Sequence, residues 1–281
     1  MEALDVLQAN PGRLETPRVV RGAAGAALNR EGAHAVWLVT YLEGRLLAHV
    51  PEQPHRLLRE LGRGLGDLDN TLRPFDPPPA RREHGWDLRH APKVLSFIEY
   101  IPDGALRAAV GRRLERFEVD VSPDIDRLPF QVIHNDANDY NLLVRGDGEA
   151  ARVSGLLDFG DLVRTARVCE PAVAMTYAMM ASADPLRAGA EVLAGYHESA
   201  VLKRAEIRLV PYLIEARLCI SVTMSSYRRN QDPENEYIVV SQVPVRRLLD
   251  WTSVTPPSRW IETFEDACTS VRPLVGNAWP E

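Results

Sequence analysis

Two stretches decide how this chain is read: Val132-Ile133-His134-Asn135-Asp136-Ala137-Asn138-Asp139-Tyr140-Asn141 and Gly155-Leu156-Leu157-Asp158-Phe159-Gly160-Asp161. The first leaves an apolar run, Pro129 to His134, that reads as a strand. The second closes another, Val153 to Asp158. Asn141 to Val144 reads as the partner of that strand, joined to it through the Gly146-Asp147-Gly148 turn. Asp158 lies seventeen positions after Asn141. Two short strands meeting at a turn return Asp158 to the neighbourhood of Asn141.

These residue types match the needs of phosphoryl transfer. That reaction asks little covalent chemistry of a protein. It needs a carboxylate to orient the attacking hydroxyl and take its proton, and hard oxygen ligands for a magnesium ion bridging the nucleotide phosphates. Asp136 is the candidate base, and Asn141 and Asp158 are the candidate metal ligands. His134 is assigned a supporting role, bonding the loop backbone, rather than acid–base work. A merely polar loop of turn-forming Asn and Asp does not explain two such motifs in this order, each following an apolar strand.

Working outward, residues 2–8 read as a short helix, stopped by Pro11-Gly12. Thr16 to Val20 is a possible strand, Gly22 to Gly32 a loose turn, and Ala35 to Leu42 a buried strand ended by Glu43-Gly44. Leu57, Leu58, Leu61, Leu65, Leu68 and Leu72 recur at helical spacing. Pro92–Tyr100 and Gly104–Phe117 are further helix candidates. After Glu170 the chain reads as helical almost throughout, over Pro171–Ser182, Pro185–Ser199, Ala205–Ser226, Glu234–Trp251 and Ser258–Thr269. Pro244 is expected to kink or break the fourth of these.

The 281 residues are 45% hydrophobic and 26% charged, with a net charge of −6. That is the balance of a soluble globular protein. It argues against binding to a nucleic-acid backbone, which calls for a basic surface. The three cysteines, Cys169, Cys219 and Cys268, have neither metal-ligand nor redox spacing. Reduced, buried thiols in a cytoplasmic protein are expected. The N-terminus does not read as a signal peptide, and no apolar run reaches the ~20 residues of a membrane span.

The Val132 to Asn141 stretch resembles the catalytic loop of the aminoglycoside phosphotransferase and choline kinase superfamily, and within it the hydroxylysine kinase-like phosphotransferases. Trp86-Asp87-Leu88-Arg89, Gly155 to Asp161, Glu170-Pro171 and Asn235-Glu236-Tyr237 match as well. The resemblance implies an α+β, protein-kinase-like two-lobe fold with a mostly helical C-lobe. Residues 1–44 would be a partial N-lobe and hinge, and residues 45–281 the C-lobe, with a catalytic β insert over about residues 129–161. It implies ATP or GTP as donor, Mg2+ as cofactor, and a small hydroxyl-bearing amine or amino acid as acceptor. Asp136 would be the base, Asn141 and Asp158 the magnesium ligands, and Asp161 would help shape the site. Trp37 to Gly44 resembles the last N-lobe strand and hinge, where a purine would bond the backbone near Thr40 and Leu42. Acidic and aromatic residues beside Asp136 would suit an amine-bearing acceptor, and Trp86, Asp87, Asp161, Glu170 and Tyr227 are the candidates.

The opening departs from the kinase pattern. Residues 1–44 hold no lysine, and no glycine-rich loop lies between two strands there. The N-lobe sheet is therefore expected to be incomplete, exposing a strand edge that a second copy or an upstream segment would cover. Turnover is expected to be impaired. The alternative function is a catalytically degenerate binding module of the same fold. A metal-assisted hydrolase ranks last, because the extra ligands of a two-metal centre are missing.

Overall fold

The computed structural model describes residues 1–235 and 242–274. Helix α1 (Glu2–Ala9) precedes two short antiparallel pairs, β1 (Val19–Val20) with β4 (Leu38–Val39), and β2 (Asn29–Glu31) with β3 (His34–Val36). Strand β5 (Arg45–Leu46) joins β7 (Leu142–Arg145), which joins β8 (Arg152–Leu156); β6 (Phe130–Ile133) pairs antiparallel with β9 (Val163–Ala166). The helices are α2 (His55–Leu72), α3 (Gly104–Arg116), α4 (Ser122–Ile125), α5 (Cys169–Ala181), α6 (Pro185–Ser199), α7 (Arg204–Gln231), α8 (Gln242–Val254) and α9 (Pro257–Thr269), with a 3-10 run over Leu88–Tyr100.

Most helices begin and end close to where hydrophobic spacing and caps put them. The six leucines of α2 are all buried. Helix α5 is apolar nearly all round and buried nearly all round. Pro185 and Pro257 stand at helix starts, where a missing N–H costs nothing. Pro244 does not break α8: it lies in its first turn, where no intrahelical bond is lost. Of the helix expected over Glu234–Trp251, residues 236–241 lie outside the described residues, as do Glu236 and Tyr237 of the matched motif.

Helices α2 and α6 cross closely, because Gly62 and Gly66 of one meet the backbone of the other. A methyl at Gly62 would overlap the Val192 carbonyl oxygen, and one at Gly195 would overlap that of Arg59. Behind β9, Arg167 bonds Glu206 through both nitrogens of one edge, Nε to Oε1 at 2.8 Å and Nη2 to Oε2 at 2.7 Å, with both side chains fully buried. A paired, bidentate buried charge is geometrically restrictive. It fixes the start of α7 to the β structure that carries the motif residues.

The expectation for Ala35 to Leu42 needs correction. This run is not a buried strand. It is split between β3 and β4, and Trp37, Leu38 and Tyr41 are 55%, 65% and 87% exposed. An apolar strand is buried only when a second layer covers it. Here the two-stranded ribbons present these side chains outward.

Candidate active site

The geometry begins with two strand ends. Strand β6 pairs along its length with β9, Ile133 opposite Val163, and releases the chain at His134. Strand β7 begins at Leu142 opposite Leu156 of β8, and the ladder extends one bond further, from the Leu157 N–H to the Asn141 carbonyl at 2.8 Å. Asn141 and Asp158 therefore leave adjacent strands at the same end of the sheet.

The loop between them is shaped by its own side chains. Asn138 Oδ1 accepts from the N–H groups of Tyr140 and Asn141 at 2.8 and 3.1 Å, a turn that Asn forms readily. Asn135 takes a left-handed conformation, φ 69°, and its N–H donates to the buried Glu170 carboxylate at 2.9 Å. Asp136 stands at the centre. Its Oδ2 accepts from Asn138 Nδ2 at 2.9 Å and Asn141 Nδ2 at 2.8 Å, and its Oδ1 accepts from Arg217 Nη2 at 2.6 Å.

His134 has a structural place. The Leu157 carbonyl can only accept, so His134 Nε2 carries the proton and donates to it at 2.9 Å. Nδ1 then accepts from the Asp136 N–H at 3.3 Å. The ring meets Phe159 edge-on, with centroids 4.7 Å apart. One neutral imidazole thus ties the base-bearing loop to the residue preceding Asp158. Asp158 has φ 54°, and its Oδ1 caps the Gly160 N–H at 3.1 Å. Asp139 is largely buried, and that burial pushes its carboxyl up to about 6.

The remaining candidates divide. Trp86 lies at the site: its ring sits under the guanidinium of Arg217, 4.6 Å from the centroid, and under that of Arg228 at 5.5 Å. Asp161 pairs with His84 at 3.2 Å and so fastens the 159–161 turn to the loop before Trp86. Asp87 is buried, caps Arg89 and accepts from the Thr165 hydroxyl at 2.8 Å. Glu170 accepts from the Asn135 N–H through Oε2, and its Oε1 is buried without a partner. Burial raises the carboxyl pKa of both acids. Tyr227 packs against Phe97 and Tyr100, with centroids 4.5 and 5.1 Å away. Thr40 exchanges two bonds with Arg18, its N–H donating to the Arg18 carbonyl and its hydroxyl accepting from the Arg18 N–H, both at 2.9 Å. Leu42 lines a cavity of about 390 Å³ together with Leu7, Leu14, Thr16 and Leu68, away from the Asp136 loop.

Sequence reading missed Arg217 and Tyr177. The available signal was a lone arginine in the apolar run Leu213-Ile214-Glu215-Ala216-Arg217-Leu218-Cys219-Ile220 of a buried helix. A charge there has to be paired.

Among the described residues no three of His, Cys, Asp and Glu gather around one point. A nucleotide-bridging magnesium asks for less, since phosphates and waters complete its shell. The donors present fit that demand. Asn141 spends its amide nitrogen on Asp136, leaving its Oδ1 available, and no basic side chain among the described residues pairs with Asp158.

Comparison with known proteins agrees with this geometry. The model of the phosphotransferase enzyme family matches residues 1–208. The chain belongs to that family. Hydroxylysine kinase of Bos taurus is 29% identical over 245 residues, covering 82% of this chain and 65% of that protein. Homoserine kinase of Methylorubrum populi is 31% identical over 247 residues, covering 86% of this chain and 66% of the other. The chain therefore spans a little under two thirds of the length of these relatives. Among solved structures, an amicoumacin kinase in complex with AMP-PNP and Ca2+ superposes with a TM-score of 0.63 at 13% identity, covering 91% of this chain and 77% of that one. Such a likeness gives the fold, which is the α+β, protein-kinase-like fold of this family. No helix among the described residues is long and apolar enough to cross a membrane.

Proposed function

We propose that this protein transfers the γ-phosphoryl group of ATP or GTP to a hydroxyl of a small amino alcohol or hydroxylated amino acid, with Asp136 as base. The observation that carries the reading is the convergence of Asp136, Asn141 and the strand end bearing Asp158, tied together by His134. In this reading Asp136 takes the proton of the acceptor hydroxyl as that oxygen bonds to the γ-phosphorus. The bond from the γ-phosphorus to the bridging oxygen breaks, and the nucleoside diphosphate leaves. A divalent cation held by Asn141 and Asp158 would offset the charge of the phosphates. His134 and Asp161 act as supports, fixing the loop and the 159–161 turn.

In the same reading residues 1–44 form the N-lobe part and hinge, and residues 45–281 the C-lobe. The Thr40 N–H is committed to Arg18, so the purine would use the Thr40 carbonyl and the Leu42 amide. Trp86 would border the acceptor. The relatives' names support a small hydroxylated amine or amino acid as acceptor.

Labelled γ-phosphate from ATP or GTP, incubated with magnesium and either hydroxylysine or homoserine, tests the reading. Labelled product is expected, and Asp136→Asn is expected to lower its rate by about 10²–10⁴, the usual contribution of a positioned base. Full turnover by that variant would overturn the mechanism. Stabilisation by nucleotide with no product from any acceptor would favour the binding module instead.

A further inference from the structure

Beside Asp136, one arginine has hydrogen-bond donors left over. Arg217 on α7 has a side chain only 3% exposed. Its Nη2 donates to Asp136 Oδ1 at 2.6 Å and to the Tyr177 hydroxyl at 3.0 Å. Its Nε and Nη1 are buried without a partner. Burial works against its charge, but Tyr177 and Asp136 more than offset this and hold its pKa above the usual arginine value. The guanidinium lies over the rings of Trp86 and Tyr177, 4.6 and 5.5 Å from their centroids. Arg228, about three turns further along α7 and so on nearly the same face, also lies over the Trp86 ring, and no carboxylate among the described residues pairs with it. Of the acids that would attract an amine, Asp87 is bonded by Thr165 and Arg89 and Asp161 by His84, while Glu170 Oε2 accepts from Asn135, and Glu170 Oε1 and Asp139 Oδ1 are buried without a partner.

Buried N–H donors without acceptors carry a desolvation cost that a ligand can relieve. A guanidinium offers five donors in a rigid fork, and here two of its three nitrogens are unused. The group that matches them is a carboxylate. Those nitrogens belong to the same guanidinium whose Nη2 bonds Asp136 Oδ1, so an acceptor that turns its far end toward Arg217 would reach them once the guanidinium shifts. Asp136 itself already accepts three hydrogen bonds, out of the roughly four a carboxylate can take. An anion drawing Arg217 toward itself would also free Oδ1 for the hydroxyl.

We infer that Arg217 is the specificity-determining residue of the acceptor site: it binds a carboxylate on the acceptor, selecting small hydroxy acids over amino alcohols, and in doing so releases Asp136. The inference rests on the phosphotransferase reading of the same site but goes beyond it by naming the acceptor's second functional group. A purely structural arginine, there only to hold Asp136, is the competing account.

Homoserine and 3-aminopropanol are suitable probes, since they differ by the carboxylate alone. The protein is expected to favour homoserine by about 10²-fold or more in kcat/KM, because a site built around a polar partner rejects the analogue lacking it. Arg217→Met is expected to remove the preference, and Arg217→Lys to restore part of it. If the protein uses both probes equally, or if Arg217→Met slows both by one common factor, Arg217 only positions the base and the inference fails while the phosphotransferase reading stands. If neither probe is phosphorylated, that reading is what has failed, and calorimetric titration of the unmodified protein decides the inference alone. Binding of homoserine at least tenfold tighter than 3-aminopropanol supports it. Equal binding, or no binding of homoserine, overturns it.

Discussion

Nδ2 of Asn141 donates to Oδ2 of Asp136 at 2.8 Å, so the residue proposed to hold the metal and the residue proposed as base share one hydrogen bond. That contact orients the Asn141 side chain. With the nitrogen turned toward Asp136, the oxygen is the atom left for a cation, and the reverse orientation would set oxygen against oxygen.

Asn141→Asp replaces this bond with two facing carboxylates. Like charges at such a separation disfavour each other's ionised forms. The variant is expected to melt several degrees below the parent in chelator, since a loss of about 1 kcal/mol moves a chain of this size by about 2–4 °C. Magnesium should narrow the gap. Melting curves with EDTA and with magnesium check this, and a gap unaffected by magnesium would remove the metal from this position.

Asp158→Asn isolates the other donor. Asp158 occupies a left-handed conformation, which Asn adopts readily, and its one side-chain bond is local, to Gly160. The unliganded variant should melt within about a degree of the parent. The rise in Tm that nucleotide and magnesium give the parent, which grows as RT ln(1 + [L]/Kd), should largely vanish. An undiminished rise would place the cation on other ligands.

The glycine contact between α2 and α6 sets a stability test away from the site. Gly195→Ala forces a methyl into the Arg59 carbonyl. Such overpacking typically costs about 1–3 kcal/mol. Chemical denaturation should show a lower midpoint at an unchanged slope. A neutral result would mean that the helices separate without cost.

Acid stability should carry a signature of Glu265. Its hydrogen bonds from Arg204 and Arg208 lower its carboxyl to about 2. A carboxyl depressed in the folded state stabilises above its ordinary value, and that contribution is lost as pH falls toward the folded value. The Tm difference between the parent and Glu265→Gln should therefore be largest near pH 5 and above, and shrink as the pH approaches 2. Melting curves over that range measure it, and a difference that widens in acid would contradict the assignment.

The residue types of the Asp136 loop, their order, and the positions of most helices were legible in the sequence. Asn138 turning the loop back, six leucines lining α2 and Pro257 opening α9 are consequences of turn chemistry, period and caps. These act over a few residues and are written locally. The hairpin returning Asp158 toward Asn141 was legible for the same reason.

What lay beyond the sequence depended on distant surfaces meeting. Strand β9 pairs with β6 although thirty-odd residues separate them. Arg217 reaches Asp136 across 81 positions. Asp87 and Glu170 were legible as acids, but only packing committed one to Thr165 and the other to Asn135. Periodicity marked Ala35 to Leu42 as apolar, and the lack of a covering layer left Trp37 and Tyr41 exposed. The sequence by itself determined which groups this protein has for chemistry, because composition and local geometry belong to the chain. Tertiary structure alone decided which charges remain uncommitted beside Asp136, because a charge is consumed or spared by whatever the fold brings against it.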